Sequence, residues 1–188
     1  MNIINNNVQY YFGKQQGIES KNNTVTLFDG TSLKMPAYPE YEKYEDSVCT
    51  HWNFDPVRFV TAANYMDAKS STVFGAIDKA TRSESVEVLY RLCGRPTVSY
   101  KSLYNDVKSN TKYVNAIMWA NEKEIAKGYQ NESNNFGVDD IISRHDICIM
   151  FYRYAKLIDP NIKTTGDLSQ YPDGASFTQK EEREAFAW

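Results

Sequence analysis

The sequence predicts a mainly α-helical fold of helix–loop–helix repeats, preceded by a small N-terminal β-hairpin element. Three observations carry that expectation. Residues 74–91 and 136–153 align without a gap at an offset of 62 positions. Apolar residues within and beyond the aligned blocks recur at helical spacing. The stretch Thr24–Met35 has two short β-prone runs on either side of Asp29-Gly30, a pair that tolerates the positive φ of a tight hairpin turn.

Beyond the hairpin, Pro36, Pro39 and the tyrosines and acids of Tyr38–Tyr44 suggest an irregular strap. The change from this β and irregular element to the helical repeats falls within 45–58. We place the division at 1–55 and 56–188, the second part comprising a partial repeat 56–98, a full repeat 99–158 and a partial repeat 161–188.

Each aligned block has a readable helix start. Thr81-Arg-Ser-Glu84 and Ser143-Arg-His-Asp146 are a capping box and a shortened relative. The hydroxyl accepts from a first-turn N–H, and the acid three residues on reaches back; Asp is the weaker partner there. Val86, Leu89 and Tyr90 follow the first cap; Ile147, Met150, Phe151 and Tyr154 follow the second, all at helical spacing. The helices are expected to stop at Gly94-Arg95-Pro96 and Asp159-Pro160. Between them a helix is expected over Lys112–Ala126, with Tyr113, Ala116, Ile117 and Ala120 on one face, Trp119 beside them and Gly128 past the end. Ala185-Phe-Ala-Trp188 echoes Ala116-Ile-Met-Trp119.

Composition bounds the function. The chain has 188 residues, 41% apolar and 24% charged, with a net charge of −3, so it suits one domain or two small ones and not a disordered acidic tail. No apolar run reaches the roughly 20 residues of a membrane span. The acidic balance argues against a nucleic-acid partner. Met1–Asn7 has no basic start and no apolar run, so either the protein stays in the cell or the chain is a piece of a larger secreted one. Cys49, Cys93 and Cys148 are odd in number and lack a Cys-x-x-Cys spacing, which disfavours a disulfide framework.

The usual enzyme motifs, GxSxG, HExxH, the P-loop and GxGxxG, are absent. Ser109-Asn-Thr-Lys112 formally fits SxxK but stands in a loop without its companions. His51 and His145 have no Cys or carboxylate spacing that would make a zinc site. Glu181, Glu182 and Glu184 read as a solvated helix face. No cofactor, metal or catalytic residue is expected.

Tyr104-Asn-Asp106-Val, Tyr113-Val-Asn-Ala-Ile-Met-Trp119-Ala, Ile125-Ala-Lys-Gly128-Tyr, Phe136 and Ile142-Ser-Arg-His-Asp146 together resemble a bacterial S-layer homology (SLH) repeat. Residues 99–158 resemble a complete copy, 70–96 the back half of a preceding one and 167–188 the front half of a following one. The resemblance implies a helical fold of pseudo-repeats and non-covalent attachment to an anionic, often pyruvylated, secondary wall polysaccharide at the cell surface. The family's groove residues carry over to Asp106, Trp119, Gly128, Arg144 and, from the partial copy, Arg82. A guanidinium pairs bidentately with a carboxylate ketal, and an indole face stacks on a sugar ring. The Ala that follows the family's motif Arg is Ser83 in one copy and His145 in the other. The front half at 167–188 is expected either to dock against the back half at 70–96, which would close the helical units on themselves, or to be a repeat cut off midway.

Each of these residues has a plainer reading. Arg82 and Arg144 also suit first-turn ion pairs, Trp119 a packed helix position and Asp106 a turn; Arg91 and Arg153, each following a Tyr, read as structural. The leading function is a non-catalytic wall-anchoring module. The alternatives are a protein–protein interaction module on the same scaffold and an accessory domain of a wall-acting enzyme.

Overall fold

Strand β1 (Thr24–Thr26) pairs antiparallel with β2 (Ser32–Lys34), Val25 opposite Leu33, so the alternation of the N-terminal run does form a hairpin. The register leaves three positions rather than two between Leu27 and Thr31. Leu27 N–H donates to Thr31 C=O at 2.7 Å, Gly30 N–H donates to Leu27 C=O at 3.0 Å, and Gly30 has φ +84°. Gly30 supplies a left-handed residue just before Thr31, which leads into the second strand. The structure is a computed structural model and describes residues 24–27, 30–35, 43–48, 50–129 and 131–188. Asp29, Cys49 and most of the expected strap lie outside the described residues.

The described residues divide into two compact units, one within Met1–Asp78 together with Arg91–Gly94, the other Lys79–Tyr90 with Arg95–Trp188. In the first unit, helix α1 (Phe54–Ala62) spans the expected 55/56 boundary and supplies a front helix where the sequence pattern offered none. Its apolar face is well defined. Phe59 and Ala62 pack with Leu33 on Met35, while Tyr44, Val57 and Phe74 form a second cluster with Val60, Met66, Ala68 and Ala76. The helix ends when Asn64 turns to φ +56° and the Tyr65 and Met66 N–H groups both return to Val60 C=O.

The second unit holds four α-helices among the described residues: α2 (Arg82–Leu92, whose last two residues are counted with the first unit), α3 (Val114–Glu122), α4 (Arg144–Ile158) and α5 (Lys180–Ala187). The caps are the expected ones. Thr81 and Glu84 exchange both bonds of a capping box, at 2.9 and 3.2 Å. Ser143 accepts from Asp146 N–H at 3.0 Å, but the shorter Asp146 carboxylate turns elsewhere instead of reaching back. Helix α4 stops at Ile158, just ahead of Pro160.

Helix α3 is shorter than expected at both ends. Tyr113 is left-handed at φ +62°, and Glu124 at φ +59° breaks the C-terminus. Ile125 and Ala126 N–H then both return to Ala120 C=O, which turns the two apolar side chains into the core instead of continuing the stripe. Trp119 lies wholly buried between Tyr90 and Tyr154, at ring-centroid distances of 5.7 and 6.4 Å. Helix α5 packs on α4, where the expectation placed it on 70–96. Consecutive elements usually lie side by side, and α4 and α5 do so across a 159–179 connection that holds two 3-10 turns, Leu168–Gln170 and Gly174–Ser176.

Candidate functional site

Three of the five residues singled out by sequence, Arg82, Asp106 and Gly128, gather around Phe136 at the start of the loop Phe136–Asp140 of the second unit. Asp106 builds it. Its carboxylate accepts from three successive backbone N–H groups, Phe136 and Gly137 at 2.7 Å and Val138 at 3.1 Å. Burial pushes this carboxyl up, but the three donors outweigh burial and hold it below the ordinary aspartate value.

Arg82 closes the same loop from the start of α2. Its Nε donates to Phe136 C=O at 3.1 Å, its Nη1 lies 3.6 Å from Asp146 Oδ2, and the guanidinium stands 4.8 Å over the Tyr129 ring. The backbone joins in: Arg82 N–H donates to Asp140 C=O, Ile142 N–H donates to Ala80 C=O, and Thr81 bridges Ile141. At 6% exposure, Arg82 is fully occupied in joining the two aligned blocks. Gly128, at φ +70°, lets Tyr104 approach; a Cβ there would come within 2.6 Å of Tyr104 Cε1. Tyr104 in turn packs on Phe136 at 5.5 Å and accepts from Asn121 Nδ2 at 2.6 Å. Trp119 presents no ring surface to solvent, and its Nε1 has no hydrogen-bond acceptor among the described residues.

Asp106, Gly128 and Arg82 are therefore brought together around Phe136, while Trp119 supports the frame from inside the core. Arg144 stands apart. It begins α4 at the position equivalent to Arg82, yet it is exposed and makes no hydrogen bond or ion pair with the described residues. Arg91 and Arg153 are structural, as their sequence setting suggested. Arg91 grips Asp67 through two bonds of 2.8 and 2.5 Å, and Arg153 grips Glu181 through two of the same lengths.

One residue of this architecture is absent from the sequence analysis. Asp46, in the first unit, accepts from Phe74, Gly75 and Ala76 N–H at 2.9, 2.7 and 3.1 Å, the same three-donor arrangement as Asp106. Tyr44 packs on Phe74 as Tyr104 packs on Phe136. Tyr44-x-Asp46 against Tyr104-x-Asp106, 60 positions apart, was the signal available.

Residues 103–147 match the family model of the S-layer homology domain. This stretch is an S-layer homology repeat. Such repeats are, in general, non-catalytic modules that anchor proteins to the cell wall, and they imply association with the cell surface. A relative named amylopullulanase, from Thermoanaerobacterium thermosulfurigenes, is 24% identical over 157 residues, 84% of this chain. The chain spans 8% of that relative's length. No solved structure matches the chain. Among the described residues, no helix is long and apolar enough to cross a membrane.

Proposed function

We propose that this chain is a wall-anchoring module that holds an anionic, pyruvylated secondary cell-wall polysaccharide, with Arg144 as its principal ligand contact. The observation that carries this reading is the uncommitted guanidinium of Arg144 at the head of α4, within the S-layer homology match. Arg82, at the equivalent position, is spent on Phe136, Tyr129 and Asp146. In this reading Arg82, Asp106, Gly128 and Trp119 shape the frame, and Arg144 meets the polymer. A guanidinium fork matches a pyruvyl carboxylate bidentately, and the ammonium of a lysine does not. A relative named amylopullulanase, matched over 8% of its length, supports a module that forms a small part of a longer protein.

The test is co-sedimentation of the chain with purified Gram-positive sacculi, before and after removal of the secondary polymer. Wild type is expected to bind only the intact sacculi, and Arg144→Ala about tenfold or more weakly, the cost of one charge-assisted contact. Arg144→Lys is expected to recover little. A folded wild-type chain that ignores the polymer, or an Arg144→Ala variant that binds as wild type does, overturns the assignment. Ile141, 59% exposed and three positions before Arg144, then points to a protein partner.

A further inference from the structure

Among the described residues, polar contacts fasten α5 to α4, and one of them differs in kind from the others. Arg153 holds Glu181, and Tyr152 O–H donates to Glu184 Oε2 at 3.0 Å. Neither pair changes its charge between mild acid and mild base. The third contact is His145, the residue that stands where the family pattern has Ala. Its Nε2 lies 3.3 Å from Glu182 Oε1 on α5, and its Nδ1 lies 3.5 Å from Asp146 Oδ1 on α4. The ring packs on Phe186 at 5.7 Å, and Phe186 stacks on Phe177 at 4.2 Å.

Both ring nitrogens thus face carboxylate oxygens, which accept and do not donate. A neutral imidazole carries one N–H, so its second nitrogen turns a lone pair toward a negative oxygen. An imidazolium carries two N–H groups and a positive charge, and attracts both carboxylates. We infer that His145 is a proton-operated fastener: the charged ring bridges Glu182 of α5 to Asp146 of α4, and loss of the proton releases one end of the bridge.

The surrounding charges fit this role. On the α2 side, Arg82 Nη1 lies 3.6 Å from the other Asp146 oxygen, so that carboxylate stands between two basic side chains. On the α5 side, Glu182 uses Oε2 to accept from Gln179 N–H at 3.2 Å, leaving Oε1 for the ring. Arg183, next in sequence, donates to Phe177 C=O at 3.4 Å and does not compete for Glu182. The docking of α5 is therefore expected to be stronger when the ring is charged than when it is neutral.

The experiment is hydrogen exchange of the full chain, with protection factors corrected for intrinsic rates at pH 5.5 and 8.0, on wild type, His145→Gln and Glu182→Gln. Because His145 is 42% exposed, the bridge is worth what a partly solvated ion pair is worth. Amides of 180–187 in wild type should be about two- to fivefold better protected at pH 5.5 than at 8.0. In His145→Gln, which cannot titrate, and in Glu182→Gln, which removes the charged partner, that difference should vanish. Equal protection of α5 at the two pH values in wild type overturns the inference. So does a pH difference that survives in His145→Gln, or one shared equally by α3, since either reports general stability rather than this contact.

Discussion

A carboxylate that accepts from three consecutive backbone N–H groups organises a loop that has no ladder of its own, because it gives the turning backbone a single fixed anion. Asp106 does this for Phe136–Val138 and Asp46 for Phe74–Ala76. Replacing Asp106 by Ala leaves partly buried donors unpaired, and the expected loss is about 2–4 kcal/mol in urea denaturation. Asn, which retains one acceptor, should lose less. The pH dependence has a definite sign. Both carboxyls sit below the ordinary aspartate value because backbone donors outweigh the burial that pushes them up. Their contribution is complete above the unfolded-state value and is lost as pH falls toward the lowered native ones. Wild type should therefore lose stability on acidification more steeply than Asp106→Ala, measured by denaturant midpoints from pH 6 to 3. The same scale explains why two arginines of one motif differ: Arg82 has a loop to close and Arg144 has none among the described residues.

At the scale of elements, the helix starts were legible because capping is local chemistry. Thr81/Glu84 and Ser143 cap where the sequence places them. The ends of α1 and α3 were not, because they depend on tertiary demand. Asn64 and Glu124 adopt positive φ so that the following apolar residues can enter the core, and neither is a glycine. Helix α1 itself escaped notice because Asn53 caps it without a side-chain bond and Phe59 stands where Trp119 does in α3. Helix α5 is short, and docking rather than propensity holds it. Its Arg153–Glu181 pair keeps Glu181 below the ordinary glutamate value, chiefly through the hydrogen bonds from Arg153. Glu181 is nearly half exposed, so a double-mutant cycle with Arg153→Ala and Glu181→Ala should return a coupling of only about 0.5–1 kcal/mol. A coupling near zero would assign the docking of α5 to Phe177, Phe186 and Ala185 instead.

For the whole molecule, the repeat was half visible for an arithmetic reason. The back halves align at 62 positions, but Tyr44-x-Asp46 and Tyr104-x-Asp106 are separated by 60. The two extra residues fall between Tyr129 and Phe136, which are seven positions apart where Lys69 and Phe74 are five. An ungapped comparison that follows one half loses the other, and so the first repeat read as a fragment. Its frame was present all along: Lys69 pairs with Asp78 as Tyr129 pairs with Asp140. Each carboxylate-centred loop lies within one compact unit, Asp46 in the first and Asp106 in the second. If those units are energetic as well as geometric divisions, each lesion should stay local. Asp46→Ala is expected to raise exchange in 54–62 and 74–76 while 114–122 keeps wild-type protection, and Asp106→Ala is expected to do the reverse for 114–122 and 136–138. Were both variants to loosen both sets equally, the chain would unfold as one cooperative body, and the continuous helix α2, whose residues belong to both units, would be the element to blame.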